Sequence, residues 1–206
     1  MRTSIDLAYP FTGDWLVQNS PADRVPSHGT RLFATSYAID FVPVDDTGRS
    51  ARMTLGALVR PQAPGAFPGF GRAVLAPVAG VVLSAHDGEP DHAAHRGLPS
   101  IRYALTQRQR VAAGWAALAG NHVLLSCGDV VAALCHLQQG SIRVEAGQAV
   151  QVGDVLGRCG NSGNSTEPHV HVQAMDGPDP TRARPVAITF QGSLPANGQV
   201  VRATPR

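Results

Sequence analysis

The sequence predicts an all-β domain of mostly antiparallel strands, curled into a two-layer or barrel-like sheet and carrying short helical inserts. Three observations predict it. Apolar and β-branched residues come in short runs, FATSYAIDFVPV, RAVLAPVAGVVLSA, NHVLLSC, VVAALCHL, AVQVGDVLGRC, PHVHVQAM and PVAITF, of strand rather than helix length. The 22 Gly and 16 Pro are scattered between those runs, which supplies turns and excludes a collagen-like or low-complexity chain. With 43% hydrophobic and only 16% charged residues, the chain can bury a core and lies far from the composition of disordered segments.

A length of 206 residues suits one domain with trimmings. Residues 1–27 are rich in Pro, Asp, Asn and Ser and read as an N-terminal arm that lays Trp15 on the domain. The domain proper is expected over 28–190, with a C-terminal tail over 191–206. Gly128-Asp129 separates two apolar runs by two residues, the signal of a hairpin turn with Gly at the position that needs φ > 0. Gly147, Gly153 and Gly157 bound a short strand on each side and predict tight corners. TQRQRVAAGWAALAG, rich in Ala, Gln and Arg and ending in Gly120, predicts a helical insert around 106–119. HDGEPDHAAHRGLPS, residues 86–100, reads as a solvated loop, and His86, His92 and His95 as residues of that loop. His122 faces either the core or its neighbouring strand. Cys127, Cys135 and Cys159 are odd in number and lack a CxxC spacing, so free thiols are expected rather than a disulfide framework.

Composition also narrows the partners. All 17 basic residues are Arg, against 15 acidic residues for a net charge of +2; they are dispersed and form no stripe for a phosphate backbone, so nucleic acid is not expected. No run approaches the ~20 apolar residues of a transmembrane helix. The opening MRTSIDLAYPFTGDW lacks the apolar run of a signal peptide. Oligomeric state is left open.

Three places carry candidate chemistry. In Pro168-His169-Val170-His171-Val172, a strand would project both histidines from one face, giving a metal site, an acid/base pair or simply an exposed strand. His136, in ALCHLQQG, ends the strand returning from the Gly128-Asp129 turn and is structural or catalytic. Asp40, in SYAIDFVPV, is a carboxylate in an apolar run, which needs a metal or an Arg as partner.

Over some forty positions, HLQQGSIRVEAGQAVQVGDVLGRCGNSGNSTEPHVHVQ closely resembles the C-terminal half of the lysostaphin-type (LytM-like) zinc endopeptidase family. VLAPVAGVVLSAHDG resembles that family's preceding strand pair and YAIDF its early Asp strand, so the likeness spans roughly residues 28–190. It implies a fold of the duplicated hybrid motif type, with zinc as cofactor and a peptide or peptidoglycan substrate. It implies Asp40 and His171 as zinc ligands and His136 and His169 as the two catalytic, non-ligand histidines. Gly160, Gly163 and Asn164 would serve the turn that aims the HxH strand, and the loops near 86–100 and 160–167 would wall the groove.

The common family pattern has a His four residues before the metal-binding Asp, where this chain has Ser36. The nearest upstream imidazole is His28, twelve residues before Asp40, and it is the candidate third ligand. The expected function is a zinc metallopeptidase acting through a zinc-bound water. The alternative is a non-catalytic module of the same fold that binds cell-wall peptide or a partner enzyme; a phosphocarrier-like domain ranks last. The family implies periplasmic or extracellular action.

Overall fold

The computed structural model describes residues 4–51, 60–95 and 107–204, with the backbone alone at 107–109. In chain order the strands are β1 (Ser4–Leu7), β2 (Gly13–Gln18), β3 (Ile39–Pro43), β4 (Ala73–Leu75), β5 (Gly80–His86), β6 (Asn121–Cys127), β7 (Val130–Leu137), β8 (Ala149–Val150), β9 (Val155–Arg158), β10 (Val170–Met175), β11 (Pro185–Phe190) and β12 (Val200–Ala203). Two short helices, α1 (Gln107–Ala112) and α2 (Trp115–Ala119), precede β6.

A ten-stranded sheet runs β12-β2-β3-β10-β7-β6-β5-β8, with β11 joining β10 and β1 joining β11. All its pairings are antiparallel except β1 with β11. A separate ladder of β4 and β9 lays Val74 and Leu156 on the same apolar cluster as Ile39, Phe41, Leu134, Val170 and Val172 of the large sheet. This is the all-β, mostly antiparallel fold with short helices that the sequence predicts.

Alternation along the strands separates two faces. On β10, Val170, Val172 and Ala174 enter the main core, whereas Met175 joins a second cluster with Ala34, Ala119, Leu124, Ala133 and Cys135. Asp40 lies between Ile39 and Phe41 on β3 and so takes the face opposite the main core. The side away from the main core therefore carries the second apolar cluster and, beside it, the polar group at Asp40.

The expected arm and tail are parts of this sheet. Residues 4–18 supply β1 and β2, and 200–203 supply β12. Trp15 is fully buried, stacked on Phe11 at 4.3 Å, while Phe11 meets Phe41 edge-on at 5.0 Å. Low apolar density concealed these strands: each needs only two or three inward residues once the rest of the core is provided.

Gly128 turns the β6–β7 hairpin with φ +67°, as its position requires. The run FATSYAIDFVPV divides: Leu32–Tyr37 is a 3-10 segment with Phe33 and Ala34 left-handed at φ 56° and 59°, and only Ile39–Pro43 is strand. The polar loop is described as far as residue 95, the rest of 86–100 lying outside the described residues. Its described part packs behind residues 161–166, where His92 N and His95 N donate to the carbonyls of Asn161 and Thr166 at 3.2 and 2.7 Å. It backs that loop instead of walling the cleft. His122 is buried, edge-on to Trp115 at 4.4 Å and stacked on His86 at 5.4 Å. The cysteines are free thiols.

Candidate metal centre

Strand register builds the first half of the site. His171 on β10 lies opposite Asp40 on β3, and its Nδ1 is 2.9 Å from Asp40 Oδ1. His169, two residues earlier and so on the same face, brings Nε2 to 3.7 Å from that oxygen.

His136 arrives by a bulge. Strand alternation would aim it with Ala132 and Leu134 into the main core. Instead the β6–β7 register passes from Asn121↔Leu137 to Val123↔Leu134, so that Cys135 and His136 together face His122. His136 takes φ +65°, a left-handed conformation that L-residues adopt only where the surroundings enforce it. An extra residue in one strand re-aims the side chain. Both Cys135 and His136 then line the cleft, with the His136 ring 4.6 Å from that of His169.

His28 arrives by a loop tethered to the 3-10 segment. Ser27 N donates to Ser36 O at 3.0 Å, and Ser27 Oγ donates to Thr35 O at 3.2 Å. The tether carries His28 Nε2 to 3.1 Å from Asp40 Oδ2. Ser36 thus supports the loop through its backbone. His28, Asp40 and His171 form a group whose ligating atoms all lie within 4.8 Å of one another.

Hydrogen bonding around the cluster fixes which nitrogen of each ring is bare. His169 Nδ1 faces Glu167 O at 2.8 Å and His136 Nδ1 faces Ser162 O at 2.9 Å. A carbonyl only accepts, so Nδ1 carries the proton in both rings. With its hydrogen on Thr35 O, the Ser27 hydroxyl accepts from His28 Nδ1, 3.0 Å away. On His171, Nε2 is engaged by Gln173 Oε1 at 2.9 Å, which leaves Nδ1 bare. Neutral imidazoles in this arrangement point lone pairs inward, two of them at the oxygens of one buried carboxylate. Such contacts, at 2.9 and 3.1 Å, are met either by an imidazole proton shared with the carboxylate or by a metal ion held between the groups.

A zinc ion fits this donor set. Its bonds of about 2.0–2.1 Å to N and O place neighbouring ligand atoms roughly 3.3 Å apart in tetrahedral geometry, close to the separations at Asp40. Two imidazoles and one carboxylate are an open three-ligand set.

Burial pushes the Asp40 carboxyl up, but the neighbouring His28 and His169 and the bonds from His171 and His28 outweigh it and hold the group well below the usual carboxylate range. Burial pushes His171 down, and its bond to Asp40 reverses this into a net rise. Burial, with His169 and His171 close by, holds His136 well below the ordinary imidazole value.

The cleft above these groups measures about 720 Å³ and is lined among others by Asn19, Arg24, Leu32, Arg110, Trp115 and Asn164. All five residues singled out from the sequence, His28, Asp40, His136, His169 and His171, line it. Gly163 and Gly120 pack backbone to backbone with φ +68° and +62°, where a Cβ on either would overlap the other. Asn164 does more than turn the chain: its Oδ1 accepts from Arg110 Nε at 2.6 Å within the cleft.

Two polar neighbours escaped the sequence reading. Gln173 continues the i, i+2 face of His169 and His171, so extending the HxH pattern by one step would have found it. Asn19 donates to Asp40 Oδ2 at 2.7 Å from a turn with no sequence signal.

Several solved structures are similar to this chain. The catalytic domain of the antimicrobial peptidase lysostaphin from Staphylococcus simulans is 18% identical, with 72% of this chain and 74% of that chain covered and a TM-score of 0.41. The catalytic domain of the prophage-encoded M23 protein EnpA from Enterococcus faecalis is 20% identical over 73% of each chain, with a TM-score of 0.41. A peptidase M23 chain from Pseudomonas aeruginosa is 20% identical, with 84% of this chain and 46% of that one covered and a TM-score of 0.42. The profile of Peptidase family M23 matches residues 78–183, just over half of the sequence and inclusive of His136, His169 and His171. The chain therefore belongs to peptidase family M23.

Proposed function

We propose that the protein is a zinc-dependent endopeptidase that cleaves peptide bonds in peptidoglycan-type cell-wall peptides. His28, Asp40 and His171 would hold the ion, and His136 and His169 would handle protons. The observation that carries this reading is the convergence of two imidazole nitrogens on the oxygens of one buried carboxylate.

When bound, zinc lowers the pKa of a coordinated water to about 7 and polarises a carbonyl oxygen. His136 and His169, each tied through Nδ1 to a backbone carbonyl, present Nε2 to the cleft. A bare Nε2 accepts the proton of the attacking water. That proton, held on an imidazolium, hydrogen-bonds the developing oxyanion and is then transferred to the leaving amine. Removal of Nδ1 from competition keeps each ring in a single orientation. Cell-wall peptides enter as the substrate class from the family resemblance of the HLQQG to HVHVQ segment, and they set the place of action in the periplasm or outside the cell.

Zinc content of the purified wild type and of His28→Ala tests the metal reading, alongside hydrolysis of Gly- and Ala-containing peptides and of peptidoglycan with and without a chelator. About one zinc per chain, lost in the variant, and chelator-sensitive hydrolysis are expected. A wild type that holds no zinc after zinc is supplied overturns the reading.

A further inference from the structure

The strongest unassigned feature beside the cluster is the amide of Gln173, which is 1% exposed. Its Nε2 donates to Phe33 O at 2.9 Å. A carbonyl cannot donate, so this bond fixes which end of the amide is nitrogen. Oε1 must then face His171 Nε2, 2.9 Å away. An amide oxygen only accepts, so Nε2 of His171 carries a proton and Nδ1 is the atom left for Asp40 and the ion. One amide thereby selects the nitrogen with which His171 ligates.

Its other end holds the second ligand. Phe33 and its neighbour Ala34 are non-glycine residues at φ 56° and 59°, a conformation that persists only where the surroundings over-determine it. Phe33 O is the anchor point of that strained turn on β10. Two and three residues after Phe33, Thr35 O and Ser36 O receive the Ser27 hydroxyl and amide, and Ser27 Oγ orients His28. From Gln173 an unbroken set of contacts leads one way to His171 and the other way to His28.

We propose that Gln173 is a positioning residue for the metal centre, setting the His171 tautomer with its oxygen and anchoring the turn that carries the His28 loop with its nitrogen. This rests on the zinc reading above. Partners of ligating histidines are worth roughly 10–100-fold in metal affinity.

The test loads wild type, Gln173→Leu and Gln173→Glu with zinc or cadmium. It measures affinity by competition with a chromophoric chelator and records the imidazole N–H signals of nitrogen-labelled protein by NMR. In the wild type, His171 shows a slowly exchanging Nε2–H and a metal-bound Nδ1. Gln173→Leu loses that protected proton and weakens binding by about 10–100-fold. Gln173→Glu, which can still accept from His171 but cannot donate to Phe33 O, keeps the His171 signal while the His28 signals broaden or shift. A wild-type His171 ligating through Nε2 overturns the proposal, and this spectrum decides even where Gln173→Leu does not fold. Binding by Gln173→Leu within about twofold of wild type also overturns it and leaves the zinc reading standing. A wild type that takes up neither metal removes both.

Discussion

Ser162 offers the sharpest test of how the bulge at His136 is held. At the register shift between β6 and β7, Asn121 N donates to Ser162 Oγ at 3.0 Å. The same hydroxyl donates to Leu137 O at 2.8 Å. Both Asn121 and Ser162 are fully buried, so no water can substitute. In Ser162→Ala, Leu137 O retains the Asn121 amide at 3.1 Å, but Asn121 N–H is orphaned. An unsatisfied buried donor costs about 1–3 kcal/mol, which at the middle of that range is about 2 kcal/mol. For a domain of this size that is roughly 4–8 °C in Tm. Denaturant and thermal unfolding of both proteins measure the loss, and amide exchange at Asn121 reports its site, slow in the wild type and fast in the variant. A change below about 0.5 kcal/mol, with Asn121 still protected, would refute the reasoning.

Two further outcomes follow from burial. His122 is held below its ordinary value chiefly by burial and secondarily by nearby His86, against the opposing bond to Gly120 O. A folded-state value below the unfolded one means that its contribution is complete above the unfolded value, near 6.5, and is lost as pH falls from there through the folded value. The stability gap between chelator-treated wild type and His122→Gln should therefore narrow on acidification from about pH 8 to about pH 5, by at most about 1.4 kcal/mol per unit; a constant gap contradicts it. Burial, joined by Asp40 for one and Asp91 for the other, pushes the thiols of Cys135 and Cys159 up, whereas Cys127 is half-buried. A thiol reagent applied to the native protein should modify Cys127 alone, as read by peptide mass mapping. Early modification of Cys135 or Cys159 counts against the described packing.

Much of the site was legible because strands impose a period of two. HxH places two imidazoles on one face whatever the surrounding fold, and Asp40 between Ile39 and Phe41 had to face away from the core. What periodicity could not supply was His136. Its cleft orientation depends on a bulge that reverses the alternation of β7, and no residue near Cys135 announces a bulge. His28 was legible only as the nearest imidazole upstream, since its approach depends on two hydrogen bonds of Ser27 to residues eight and nine positions away. The strands within the expected arm are illegible for a related reason. They are ordered by pairing with β3, β11 and β12, partners distant in sequence, and local composition carries no record of them.

The substitution at Ser36 carries a physical cost under the zinc reading. A ligand four residues before Asp40 would stand on the segment leading directly into β3, whereas His28 stands on a loop, which must be ordered at about 1–2 kcal/mol per backbone residue. The structure spends several contacts on that ordering. Ser27 is tied through both its amide and its hydroxyl, its carbonyl accepts Arg24 Nε at 3.0 Å, and Gly29 N closes the turn on Pro26 O at 3.1 Å. Ser36, placed where the family pattern has its histidine, gives its carbonyl to the loop that brings the replacement imidazole. Under the zinc reading, His28 is the ligand whose position rests on these loop hydrogen bonds rather than on strand register. Loss of the Ser27 hydroxyl alone would loosen His28 and leave the Asp40–His171 pair, set by strand register, in place.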